Sequence, residues 1–157
     1  METQTPDVRI TPAGTRGRDL PGVGRLLYRL IAPIYGGLAA RRVDGLVTII
    51  TVGARSGKRR MSTVRAFPEG RDAWLVVASF GGSRNHPAWF HNVARNPDQV
   101  WLRVNGREVK VRPASLHGEE RNRAWERITS EASGFREYQT YTDREIPVVR
   151  LTDAART

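Results

Sequence analysis

From Leu46 onward the chain is cut into short β-type runs, and the turns between most of them are too brief to hold the crossover helices that parallel strands need. These runs fall at 46–52, 61–67, 73–79, 99–104, 107–112 and 146–151. Asn105-Gly106, between the alternating runs 101–104 and 107–111, supplies the two left-handed residues of a type I′ turn and predicts a hairpin. A short helix is expected to open near Pro87 and to end at Asn96-Pro97-Asp98. A second, over 118–131, is expected to be capped by Ser115, with Trp125 and Ile128 on its inner face. Six strands with only short helices argue against a doubly wound parallel sheet. They predict a mainly β chain with flanking helices (α+β), closed as an antiparallel barrel.

The 157 residues predict one domain in three parts: a mobile tail over 1–20, an amphipathic helical segment over 21–44, and the barrel over 45–153. In the second part Leu27, Leu30, Ile31, Ile34, Tyr35 and Leu38 form a stripe, which Pro33 and Gly36-Gly37 should kink. Two readings stand for residues 22–42. One is a helix packed on the body of the protein; the other is a basic segment that touches a membrane surface or covers the site. No charged head followed by a long apolar run appears near the start, so no secretory signal is expected. There is no cysteine, which excludes disulfides and thiolate chemistry and suits a cytoplasmic protein, membrane-associated under the second reading. The net charge of +10 comes almost wholly from arginine, since Lys58 and Lys110 are the only lysines. Codon usage in a GC-rich genome can produce such an excess, so local clustering carries more weight than the total.

The clustering is at Gly53-Ala54-Arg55-Ser56-Gly57-Lys58-Arg59-Arg60, where two glycines allow a tight turn and four cations lie within six residues. Such a loop can aim N–H groups and guanidiniums at one anion; the alternative is a solvated hairpin turn. It is not a nucleotide-triphosphate loop, because only three residues separate its glycines. No GxGxxG fingerprint follows a strand, no GxSxG elbow exists, and no carboxylate pair stands out. His86 and His91 are five apart and do not share a helix face, and His117 is isolated, so no metal site is expected. What remains is redox chemistry delegated to a bound carrier. Phe80, Trp89 and Phe90 offer flat apolar walls beside Gly81-Gly82, although each aromatic taken singly suits the core. Phe135, Tyr138 and Tyr141, three apart, form one side of a helical turn, as core packing or as a lip over substrate.

Three motifs, GARSGKRR (53–60), VVASFGGSRNHPAWFHNVARNPD (76–98) and YQTYTDREIPVV (138–149), together resemble the deazaflavin-dependent nitroreductases that use coenzyme F-420. The resemblance runs from about Leu46 to Leu151. It implies a split β-barrel related to flavin-mononucleotide oxidases, with the 8-hydroxy-5-deazaflavin in a groove beside it. It implies that Arg55, Ser56 and Arg60 hold the phosphate and acidic tail, and that Ser62, Thr63 and Val64 line the next strand. Ala78, Ser79 and Phe80, with Ala88, Trp89 and Asn92, would border the ring. Tyr138, Tyr141 and Phe135 would face the substrate, with Ser79 and Tyr138 polarising it. The implied reaction is hydride transfer to a small electron-poor acceptor such as a quinone, nitroaromatic or enone. Ala54, Thr63, Arg65 and Phe80 depart from the family's pattern. Two other functions are weighed: a split barrel that binds flavin mononucleotide or another carrier without turnover, and a basic nucleic-acid-binding module. The latter lacks a reading motif, so no nucleic acid is expected as a partner.

Overall fold

The computed structural model describes residues 7–18 and 45–156. The expectations for residues 1–6 and 19–20 of the tail and for the amphipathic segment 21–44, membrane contact included, lie outside that range. Six described strands close into a barrel in the order β1-β2-β3-β6-β5-β4, every pair antiparallel. They are β1 (Leu46–Val52), β2 (Arg59–Glu69), β3 (Ala73–Val77), β4 (Val100–Val104), β5 (Arg107–Ser115) and β6 (Val148–Asp153). The helices are α1 (Ala88–Arg95), α2 (Gly118–Glu131) and α3 (Gly134–Tyr141), with a single 3-10 turn at Phe80–Gly82.

Two strands are longer than the sequence pattern predicts, for a shared reason. β2 pairs with β1 through residues 59–65 and with β3 through 66–69. β5 pairs with β4 through 107–110 and with β6 through 111–115. Each therefore serves both halves of the barrel. Ser115 is consequently the last residue of β5, opposite Val149, and not a helix cap. His117 occupies the N-cap of α2 without a side-chain bond. Pro87 is the N-cap of α1. The Asn105-Gly106 hairpin forms as expected, with φ of 50° and 77°.

Alternation fills the barrel. Val47 and Ile49 of β1, Val64 and Ala66 of β2, Leu102 of β4, Val111 of β5 and Leu151 of β6 point inward with Phe90 and Val93 of α1. Burying a side chain of the Leu, Ile, Val or Phe kind contributes about 1.5–3 kcal/mol. A second cluster, Phe67, Leu75, Val77, Leu116, Ala124, Ile128, Ile146 and Val148, lies where α2 and α3 cover the outside of the barrel. No described helix is long and apolar enough to cross a membrane.

Residues 7–18 are not the free tail expected of them; they form a strap. Gly14 N–H donates to Arg84 O at 2.8 Å and Arg18 N–H to Gly82 O at 2.9 Å. Arg16 N–H donates to Asp143 Oδ1 at 3.0 Å, and Thr142 Oγ1 donates to Arg16 O at 2.9 Å. Close approach requires the glycines: a Cβ on Gly17 would lie 2.0 Å from Arg84 N, and one on Gly14 2.5 Å from Asp143 Oδ1. Most of these anchors are backbone groups, so hydrophobic periodicity carries no trace of the strap.

Candidate functional site

The basic loop is a closed turn carried by α1. Gly53 N–H donates to Lys58 O at 2.8 Å, and Gly57, at φ +64°, donates back to Gly53 O at 2.9 Å. From α1, Asn92 Oδ1 accepts the Ala54 N–H at 2.9 Å while Nδ2 donates to Thr51 Oγ1 at 3.1 Å. Asn96, just past the helix, donates to Val52 O at 3.1 Å. Asn92 is buried, and its amide holds the loop in place. Two of the three motifs are thereby one physical unit.

The four cations of the loop are not equivalent. Arg59 donates to Glu108 at 2.7 Å, shares it with Arg103 at 2.8 Å, and lies 5.1 Å over the Trp101 ring. Arg103 first and Arg59 second hold the Glu108 carboxyl below the usual carboxylate range. Arg55, Lys58 and Arg60 are exposed and have no carboxylate partner among the described residues. Arg60 donates to Ser56 Oγ at 3.4 Å. Three unneutralised cations and a hydroxyl thus lie on or beside one fixed turn, an arrangement with the chemistry to accept an anion.

The glycine loop follows β3. Ser79 is right-handed (φ −74°, ψ −39°), and Phe80, Gly81 and Gly82 follow at φ of 45°, 61° and 80°. A phenylalanine in the left-handed region costs about 1–3 kcal/mol and persists only where neighbours impose it. The neighbour here is Arg144, 3% exposed, which sequence reasoning did not single out although it lies inside the third motif. Its Nη2 donates to Ser79 O at 2.8 Å and Ala78 O at 3.2 Å, and its Nε donates to Ser83 O at 2.8 Å. Burial lowers its pKa to about 10, so it remains a cation at neutral pH.

His86 sits beside it with Nδ1 3.3 Å from Arg144 Nη1 and Nε2 2.8 Å from Thr11 O. A guanidinium only donates, so Nδ1 accepts and the Nε2–H donates to the strap. Burial, chiefly, pushes the imidazole below its ordinary value; the Thr11 carbonyl opposes this, and Arg144 and His91 reinforce it. The unfolded chain takes up this proton near pH 6.5, before the folded protein does. Its stabilising contribution is therefore complete above that pH and is lost as pH falls through the depressed folded value. The melting temperature should drop more steeply between pH 7 and pH 5 in the wild type than in His86→Gln. Equal slopes would show that His86 does not titrate this way.

The lip is α3. Phe135 packs edge-on against Phe67 (centroids 5.9 Å apart) and against Tyr138 (5.9 Å), and both rings are half-buried on the outer core. The Tyr141 hydroxyl donates to Glu137, which raises its pKa, and the Arg18 guanidinium lies 5.2 Å over its ring. The phenol of Tyr138 has no hydrogen-bond partner among the described residues, and neither does the Ser79 hydroxyl. Gly82 is pressed against this helix: a Cβ there would meet Tyr138 O at 2.7 Å and Tyr141 Cβ at 3.0 Å.

Of the remaining residues expected at the site, Ala88 is exposed, and Ser62, Thr63, Ser79 and Phe80 are half-buried. Val64 and Ala78 belong to the core. Trp89 and Phe90, for which flat walls and core packing were both open, are buried in the core at 6% and 0% exposure, because that side of α1 faces the barrel. Among the described residues no His, Asp or Glu cluster could hold a metal. A hollow of about 490 Å³ under α2, lined by Glu69, Glu120, Arg127 and Arg150, involves none of the expected residues. Its charges are already committed, Arg150 forking onto Glu69 and bonding Glu120, and Arg127 pairing with Glu131.

This closed antiparallel barrel with its flanking helices is the split barrel of cofactor-binding reductases. A solved structure of an F420-H2-dependent reductase superposes with a TM-score of 0.62 at 35% identity, over 69% of this chain and 94% of that one. Another, described as a domain-swapped dimer, gives 0.63 at 31% identity over 82% and 96%. An F420H(2)-dependent quinone reductase of Mycobacterium tuberculosis H37Rv is 35% identical over 139 residues, 83% of this chain and 92% of its own. The chain belongs to the F420H(2)-dependent quinone reductase family, whose pattern matches residues 28–153. It is accordingly an oxidoreductase that uses coenzyme F420. The deazaflavin class read from the motifs stands, with quinone reduction in place of the nitroreductase label.

Proposed function

We propose that the chain holds coenzyme F420 by two ends along α1 and reduces a quinone beside the glycine loop. The observation that carries this reading is the tie between the motifs. α1 starts shortly after the glycine loop, and it grips the basic loop through Asn92 in its later half and Asn96 at its C-cap. Eight residues at 1.5 Å each give a spacer of about 12 Å. The unneutralised Arg55, Lys58 and Arg60 suit an acidic tail, and the half-buried turn 79–81 suits a flat ring that must approach backbone.

The reduced cofactor supplies a hydride; the chain supplies binding, orientation and exclusion of water. Arg55, Arg60 and Ser56 bind the tail. Ser79 Oγ and Tyr138 Oη, both uncommitted among the described residues, polarise the acceptor oxygen. Nitroaromatics and enones offer the same electron-poor character and are the other acceptor classes.

Titrating oxidised coenzyme F420 while following tryptophan emission tests the reading, with saturation expected at micromolar concentrations. A protein that binds flavin mononucleotide and shows no F420 response overturns it. Tyr138→Phe keeps the packing on Phe135 and removes one hydroxyl. Turnover with a quinone should fall about 100-fold or more while cofactor affinity stays within about twofold. Unchanged turnover would remove Tyr138 from the reaction.

A further inference from the structure

The glycine loop presents more than space. A right-handed residue followed by a left-handed one, here Ser79 and Phe80, curls the backbone so that three successive N–H groups converge. Those of Ser79, Phe80 and Gly81 have no hydrogen-bond partner among the described residues, whereas the next two, of Gly82 and Ser83, close the turn onto Ser79 O and Phe80 O. All three residues are partly exposed. In a trans peptide the C=O and the following N–H point in opposite directions. Arg144 binds the carbonyls of Ala78 and Ser79 from the buried side. The N–H groups of Ser79 and Phe80 must therefore face away from it.

We propose that Arg144 is a positioning residue: it fixes the peptides of the glycine loop so that the Ser79, Phe80 and Gly81 N–H groups form a donor nest for an electron-rich oxygen. This rests on the functional reading above. It adds what the loop recognises, either a ring-edge oxygen of the cofactor or the acceptor oxygen that gains negative charge during reduction. Arg144 has no carboxylate partner among the described residues; its bonds run to three loop carbonyls and to His86. A guanidinium buried without a counter-charge is costly, and here it holds the one strained non-glycine residue next to Ser79. Donors fixed in advance at a site of developing charge lose nothing to reorganisation when the charge appears.

The test is an amide proton–nitrogen NMR titration of the full chain. On adding oxidised F420, the amides of Ser79, Phe80 and Gly81 should move downfield if the oxygen belongs to the cofactor. If it belongs to the acceptor, they should move only when a quinone is added to the complex. In Arg144→Met the shifts should disappear and turnover should fall about 100-fold, with affinity set by the basic loop changed by less than about threefold. Arg144→Lys, which keeps the charge but cannot reach all three carbonyls, should behave the same way. Shifts that persist in a folded variant overturn the role of Arg144. Silent amides in the wild type, with shifts at 54–60 intact, overturn the nest whether or not either variant folds. If the wild type shows no saturable F420 response at all, the functional reading fails before this one.

Discussion

Arg60→Ala weakens binding of coenzyme F420 by about 1.5–3 kcal/mol, the range for a hydrogen bond to a charged group, whereas Arg59→Ala leaves it within about twofold. The contrast follows from where each charge is already committed. Arg59 is neutralised by Glu108 and stacked on Trp101, on the opposite face of β2 from Arg60. Arg60 has no carboxylate partner among the described residues, and its guanidinium donates to Ser56, on the turn that α1 holds. Because the site is exposed, the Arg60 effect should shrink as ionic strength rises. Dissociation constants for both variants at two salt concentrations are sufficient. Equal losses, or a loss confined to Arg59, would move the anion to the outer face of the sheet.

Gly82→Ala lowers stability by about 2–4 kcal/mol, adding overpacking to a left-handed backbone. For a chain of this size that is a fall in melting temperature on the order of 5–15 °C. The new methyl group would meet the Tyr138 carbonyl at 2.7 Å with φ at +80°, so α3 must move or the turn must open. Gly81→Ala is the control. It has nothing within 4 Å and a φ of +61°, so only the backbone penalty applies, about 1 kcal/mol. Thermal unfolding of the two variants side by side checks this. Similar melting temperatures would mean that the lip does not press on the turn. Where Gly82→Ala folds, its turnover should also fall, since displacing α3 carries Tyr138 with it.

Much of this architecture is legible in the chain because it is written in local chemistry. Asn105-Gly106 admits one kind of turn, and the β-branched runs at 46–52 and 73–79 leave little choice of element. The doubling of β2 and β5 is not legible, since a strand that changes partners midway looks locally like any other. Ser115 shows the hazard: a serine before a helix reads as a cap until the strand's second partner is known. The basic loop is visible as a cluster, but which arginine is already neutralised depends on Glu108, a residue 49 positions away from Arg59. Arg144 is hidden for a related reason. It is one arginine among many, and only the folded loop shows that the carbonyls of 78, 79 and 83 converge on it. Trp89 and Phe90 stay ambiguous in the chain, because an aromatic residue looks the same whether it lines a groove or fills a core.

The strap has a practical corollary for anyone trimming this protein to its barrel. Deleting the first eighteen residues would uncover the carbonyls of Gly82 and Arg84 and strip Asp143 of the Thr15 and Arg16 donors. It would also release the imidazole of His86 from Thr11. Each lost partner lies in or just past the glycine loop or α3, so a shortened version should keep its β-sheet signature while losing order at the proposed site. Any affinity handle is better placed at the C-terminus.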